Sequence, residues 1–297
     1  MSIRDRVREL TPKPVTESIR RSLVVYGEKT SGRRPLPEFL IIGTKRGGTT
    51  SLWNYMIKHP LVPRLFPAWN TKTSHYFEEN WYRGVDWYRS HFPTEAQRAT
   101  MEREHGGAPK AGEAAPLYMF HPLAAARVHA LMPEVKLIVL LRDPVERAYS
   151  HWKERTTEGK ETLDFPTALA REAERTTGER ERLIADPNLF SEAYDWYTYR
   201  ARGRYLEHLE PWLELFRRDQ MYIVQSEVFY REPARVLGEI QEFVGLPRYD
   251  IGSYEVFNAR RSASIPEAVR EELTEYYRPY NRALADRLGM TFDWESA

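Results

Sequence analysis

Residues 38–59 read Glu-Phe-Leu-Ile-Ile-Gly-Thr-Lys-Arg-Gly-Gly-Thr-Thr-Ser-Leu-Trp-Asn-Tyr-Met-Ile-Lys-His. The apolar run Phe39 to Ile42 predicts a buried strand, and Gly43 to Gly48 a loop. Thr49 onward predicts a helix: Leu52, Tyr55 and Met56 recur at helical spacing, and Pro60 stops it. Strand, glycine loop and helix together make an anion site. Glycines let backbone N–H groups converge, and a helix N-terminus adds about half a positive charge. Lys45 and Arg46 bring two full charges to that loop, and Thr49 and Thr50 bring hydroxyls. The stretch is read as the cradle of a phosphate-like group.

A second stretch has the same form. Lys136 to Leu141 is a continuous apolar run, broken by Arg142-Asp143-Pro144 and followed by a helix from Val145. Continuous apolarity means burial on both faces, hence a parallel sheet. Further strands are predicted near 110–113 and 221–225, with helices between. The pattern predicts a three-layer α/β fold with a mainly parallel sheet and a P-loop-like loop, over one domain from residue 35 to 297. Ligands of such sheets sit at the carboxyl ends of strands. Loops 43–48 and 142–144 both fall there, so they can face one ligand.

Gly43 and Gly48 keep the spacing of a nucleotide-triphosphate loop, but Thr49 and Thr50 stand where Lys and Ser/Thr are required. A magnesium-dependent nucleotide or small-molecule kinase is the competing reading, separable by its need for metal. The loop is instead expected to neutralise charge with side chains, and no metal site is read.

The 297 residues suffice for a large core and include no cysteine. Disulfides and thiolate metal sites are therefore excluded, and a reducing, cytoplasmic location is expected. Apolar runs are too short to cross a membrane, and the charged N-terminus has no signal-peptide core. Residues 1–34 hold nine Lys/Arg against four Asp/Glu and end in Ser31-Gly32-Arg33-Arg34-Pro35. They read as a basic arm of a short helix or two and then a linker, solvated or in weak contact with a membrane surface. Nothing points to nucleic acid. Residues 153–186, dense in Glu, Arg and Thr, read as a solvated helical excursion or, over 153–192, a lid at the acceptor. Tyr194–Phe216 reads as one amphipathic helix.

The motifs then carry a resemblance. Ile41 to Leu52 resembles the 5′-phosphosulfate loop of sulfotransferases that use 3′-phosphoadenosine 5′-phosphosulfate (PAPS), and Leu137 to Trp152 resembles their 3′-phosphate motif. The similarity is to the heparan sulfate N- and 3-O-sulfotransferase branch and its bacterial relatives, and runs from about residue 38 to 294. It implies transfer of a sulfuryl group from PAPS to a hydroxyl or amine of a carbohydrate or small-molecule acceptor. It also leaves room for an inactive module that only binds the product, adenosine 3′,5′-bisphosphate.

The family's roles fall on matching positions. Lys45, Arg46, Gly47, Gly48, Thr49 and Thr50 would hold the phosphosulfate, and Arg142 and Ser150 the 3′-phosphate. Arg46 stands where the family has a catalytic Lys. It keeps the charge without a proton to give, so Lys45 is a second candidate. Thr73 stands where the heparan sulfate branch has a Glu base, which leaves His75 and Glu113 as candidates. Arg260 and Arg261 match a basic loop over the 3′-phosphate. Tyr76, Trp81, Trp87, Tyr194, Trp196, Tyr197 and Tyr199 are either walls for a sugar or aromatic acceptor, or core. The acceptor, whether sugar, lipid-linked or aromatic, is not specified by the sequence, nor is the oligomeric state.

Overall fold

The computed structural model of the chain describes residues 22–66, 72–255 and 265–295. Four strands form its centre: β1 (Phe39–Gly43), β2 (Gly112–Ala114), β3 (Lys136–Leu141) and β4 (Met221–Gln225). All neighbours are parallel, in the order β2-β1-β3-β4. The two apolar runs are the two central strands. Phe39 to Ile42 and Leu137 to Leu141 are 0% exposed, which is why their side chains are apolar on both faces rather than in alternation. The sheet is the parallel α/β architecture expected.

Helix α1 (Thr49–Met56) follows β1; α2 (Gly84–Arg89) and α3 (Glu95–His105) precede β2; and α4 (Ala124–Leu131) leads to β3. From β3 the chain runs straight into α5 (Pro144–Thr157). Four short helices follow, α6 (Phe165–Ala170), α7 (Glu172–Thr176), α8 (Glu179–Ala185) and α9 (Glu192–Trp196), and α10 (Tyr205–Leu215) leads to β4. The remainder is α11 (Ser226–Arg231), α12 (Pro233–Phe243) and α13 (Glu267–Leu288). The register places the ends of β1 and β3 side by side, Gly43 opposite Val139. The loops that leave those two strands therefore open on one side of the sheet.

Three expectations change. The single helix over 194–216 is two, α9 and α10. The carboxylate of Glu172, 4% exposed, accepts the N–H groups of Arg200 and Ala201 at 2.7 and 2.9 Å. That capture turns the backbone away from a continuous helix. The charged stretch 153–186 is not simply a solvated face. Phe165, Ala168 and Leu169 pack with Val145, Tyr149, Tyr199, Leu273 and Tyr277 in a second apolar cluster. Residues 22–29 are helical, as expected for the arm, but the linker after them packs on the domain. Arg34 is 1% exposed, and its Nη1 donates to the Phe92 carbonyl. The end of the basic segment is therefore docked. No helix among the described residues is long and apolar enough to cross a membrane.

Candidate active site

The glycine loop is held by backbone demands. A Cβ on Gly47 would lie 2.8 Å from the Leu140 carbonyl and 3.0 Å from that of Thr44. Side chains are thus excluded where the loop crosses β3. Gly48 has φ of 100°, in the left-handed region that glycine adopts without strain. It is the N-cap of α1 and has no side chain to satisfy the first-turn N–H groups. Gly48, Thr49 and Thr50 form part of the cleft lining, and first-turn amides without a side-chain cap are suited to an anion. Ser226 Oγ donates to the Gly47 carbonyl at 2.6 Å and pins the loop from α11. Helix α5 differs: Asp143 Oδ1 accepts the Val145 N–H at 2.8 Å and caps it. This Asp therefore serves the helix.

Arg46 also has positive φ, 72°, an uncommon state for a residue with a Cβ and one that collects at functional sites. Its guanidinium crosses to α5. Nε donates to Ser150 Oγ at 3.0 Å, and Nη1 to Glu154 Oε1 at 2.7 Å. Arg142 Nη1 donates to the Arg46 carbonyl at 3.2 Å, and Tyr205 OH holds the Arg142 carbonyl at 2.7 Å. The two motifs, 104 residues apart at Arg46 and Ser150, thus meet on one wall. Lys45 points the other way, 3.0 Å from Asp195 Oδ1 on α9. Burial lowers the Lys45 ammonium to about 8, nearby Arg202 adding to the effect and Asp195 opposing it.

These groups line a cleft of about 880 Å³. Lys45, Arg46, Lys72, Arg142 and Lys153 supply cations to it, and Tyr149 and Tyr230 supply rings. Lys72 Nζ donates to Thr50 Oγ1 at 2.8 Å, so it belongs to the same cradle. Cations, uncapped amides and aromatic rings in one cleft suit a doubly anionic nucleotide.

His75 stands at the rim, with φ of 55°. Thr73 Oγ1 accepts the His75 N–H at 3.0 Å, so Thr73 shapes the turn. His75 Nδ1 hydrogen-bonds Glu78 Oε1, and Glu79 Oε1 lies 3.8 Å away. Burial alone would lower the imidazole. The hydrogen bond and charge of Glu78, reinforced by Glu79 and Glu113, push it up to about 9.

Glu113 is a different matter. It is 0% exposed and does not belong to the cleft lining. Its carboxylate accepts from Ser74 N–H at 2.6 Å, Ser74 Oγ at 2.8 Å, Tyr118 at 2.9 Å and Tyr88 at 3.0 Å. Burial raises its pKa against those four donors. The geometry makes it an anchor for the His75 turn and leaves no route to an acceptor. Arg260 and Arg261 lie outside the described residues.

Of the aromatic candidates, Tyr76, Trp87, Tyr194 and Tyr199 are buried. Tyr76 stacks on Tyr88 at 4.5 Å, a core contact. Sequence reasoning missed Lys72, Glu154 and Asp195 as members of the site. Lys72 directly precedes Thr73, a position already singled out. The two acids carry no local signal, since their partners are 108 and 150 residues away.

Known proteins resemble this chain in sequence and in fold. The family described as "Sulfotransferase domain" matches residues 36–277. Human heparan sulfate glucosamine 3-O-sulfotransferase 6 is 30% identical over 288 residues, covering 89% of this chain and 75% of that protein. The bifunctional heparan sulfate N-deacetylase/N-sulfotransferase 1 of Caenorhabditis briggsae is 27% identical over 245 residues, covering 80% of this chain and 26% of its own. A crystal structure of a sulfotransferase from Alicyclobacillus acidocaldarius superposes with a TM-score of 0.65 at 26% identity. It covers 89% of this chain and all of that one.

Proposed function

The chain belongs to the sulfotransferase domain family, and from that premise we propose how its cleft works. PAPS is the donor, and it supplies an activated sulfuryl group. The acceptor is a hydroxyl or amine of a carbohydrate or small molecule; heparan sulfate relatives support the carbohydrate half of that statement. The observation that carries the reading is the Arg46–Ser150 hydrogen bond of 3.0 Å, which makes one anion wall from two motifs.

Arg46, Arg142 and Ser150 hold the phosphate groups of the nucleotide, with the amides of Gly48 to Thr50 and Lys72 beside them. Arg260 and Arg261 are assigned to the 3′-phosphate from the motif alone. Lys45 takes the role for which Arg46 is chemically unsuited. An ammonium held at about 8 can both offset charge on the departing phosphate and give up a proton; a guanidinium can only do the first. His75 takes the acceptor's proton, with Glu78 fixing its ring. New bond formation between acceptor and sulfur then coincides with loss of the old sulfur–oxygen bond, whose electron pair stays on the phosphate. Charge preorganised in this way is usually the largest catalytic contribution, and loss of one donor costs about 3 kcal/mol or more.

Calorimetry with adenosine 3′,5′-bisphosphate tests the wall. Binding to the unaltered protein that weakens at least tenfold in Ser150→Ala and Arg142→Ala is expected; equal affinity in both variants would remove the wall from donor binding. Transfer of labelled sulfate from PAPS, measured with and without Mg²⁺, then reports the reaction itself.

A further inference from the structure

Beside the main cleft lies a small recess of about 30 Å³. Glu79, Leu117 and Asp195 line both spaces, so the two adjoin. That volume admits one or two water-sized groups, not a sugar ring. Glu78 and Arg202 also line the recess and are 4% and 3% exposed. Each keeps one buried polar atom without a partner: Glu78 Oε2, an acceptor, and Arg202 Nη1, a donor. The other oxygen of Glu78 is used by His75, and Arg202 Nη2 is used by Asp195 at 3.0 Å. Buried polar groups are rarely left unpaired. An unpaired acceptor and an unpaired donor lining one small space fit a group that both donates and accepts.

Charge narrows the choice. An anion entering the recess meets Glu78 and Glu79, and a cation meets Arg202 and the His75 imidazolium. Asp195 cannot tip the balance, because Lys45, Arg202 and Arg155 already surround it. His121 and Ser191 complete the polar lining: burial holds His121 neutral, with Nδ1 accepting the Leu123 N–H at 3.3 Å, and Ser191 Oγ donates to Glu179 at 2.5 Å. The other walls are apolar, with Leu189 and the stacked Phe120–Tyr194 pair at 4.4 Å, and Phe190 is 45% exposed.

We propose that this recess is an anchoring subsite for the acceptor, taking an uncharged hydroxyl group and rejecting a carboxylated or sulfated one. The proposal rests on the sulfotransferase reading above and narrows its acceptor. The hydroxyl donates to Glu78 Oε2 and accepts from Arg202 Nη1, while the apolar rim receives a hydrocarbon or a ring face. The preferred acceptor is therefore a neutral polyol or glycoside with an apolar portion. A polyanionic glycan would bring charge against Glu78 and Glu79.

The test uses the full chain saturated with adenosine 3′,5′-bisphosphate. Binding of hexyl β-D-glucoside, hexyl β-D-glucuronide and hexylamine is measured by calorimetry. The expected result is a glucoside affinity at least tenfold above that of either charged probe. In Glu79→Lys the glucuronide should gain at least threefold relative to the glucoside, and Arg202→Lys should lose most of the glucoside preference. A protein that holds the bisphosphate but binds the glucuronide or amine as tightly, or binds none of the three, overturns the subsite and leaves the donor reading standing. Tighter binding of Zn²⁺ than of the glucoside through His75, Glu78 and Glu79 would also overturn it. Failure to bind the bisphosphate would overturn both readings.

Discussion

Lys45 Nζ lies 3.0 Å from Asp195 Oδ1, so the ammonium of the glycine loop carries its own counter-charge. Asp195 also meets Arg202 at 3.0 Å and Arg155 at 3.7 Å. One carboxylate thus serves three cations, and they hold it well below the usual carboxylate range despite its burial. Asp195→Asn should cost about 3–5 kcal/mol in urea unfolding at pH 7, because it leaves buried charge uncompensated. The carboxylate's contribution is present above pH about 4 and is lost as pH falls toward its depressed folded value. The gap between variant and parent should therefore close in acid. Lys45, deprived of the partner that raises it, should titrate below about 8 and be less often protonated where His75 has lost its proton, which lowers peak turnover.

His75, pushed up to about 9, is an imidazolium at neutral pH and accepts a proton only once it has lost its own. Turnover at saturating donor should therefore peak between about 8 and 9, where loss of the His75 proton and retention of the Lys45 proton overlap. Glu78→Gln removes the carboxylate that raises His75, so the rising limb should move to lower pH. His75→Ala should remove that limb and cut turnover about a hundredfold, within the range for a positioned base. The readout is kcat against pH for the three proteins; an unmoved limb in Glu78→Gln would take His75 out of the proton transfer.

Asp143 caps α5, yet burial raises its carboxyl to about 6 against the helix N–H groups that lower it. A raised folded value means stability that is full below pH about 4 and is lost as pH climbs through 6. Asn caps as well as Asp and carries no charge to bury. Asp143→Asn should therefore match the parent at pH 4.5 and exceed it at pH 8, by about 1 kcal/mol at most. Asp143→Ala should lose about 1 kcal/mol at pH 4.5, where only the cap is removed, and less than that at pH 8, where the buried charge goes with it. Thermal melts at the two pH values distinguish these outcomes.

The central strands were legible because burial on both faces forces unbroken apolar runs, and Phe39–Ile42 and Leu137–Leu141 are such runs. The glycine loop was legible for a related reason: a Cβ at Gly47 would lie 2.8 Å from the Leu140 carbonyl, so the position tolerates no side chain. The break between α9 and α10 was not, because its cause is Glu172, an acid far back in the chain whose carboxylate captures two backbone amides. The carboxylates that hold the loop cations were hidden in the same way. Glu154 looks like any polar residue of an amphipathic helix, and Asp195 sits in a helix too short to show a period. Glu113 was misleading in the opposite sense: its place at a strand end suggested chemistry, while four buried donors claim both oxygens.

Arg46 spends its two contacts on different atoms, Nε on Ser150 and Nη1 on Glu154. A planar fork can do this and an ammonium cannot. Arg46→Lys should therefore keep the charge but lose the bridge to α5, weakening adenosine 3′,5′-bisphosphate about tenfold while the fold is kept. Arg46→Ala should go further and lower turnover at least tenfold as well, about 1.4 kcal/mol of barrier. The fold should survive, since Glu154 retains Arg155 at 2.8 Å and the loop backbone is still held by Ser226. Lys45→Ala should show the reverse pattern, a large fall in kcat with a smaller loss of bisphosphate affinity. If instead Arg46→Ala lost turnover without losing affinity, and Lys45→Ala lost affinity without losing turnover, the two loop cations would have exchanged roles. The pair of variants thus decides which of two adjacent charges faces the departing phosphate.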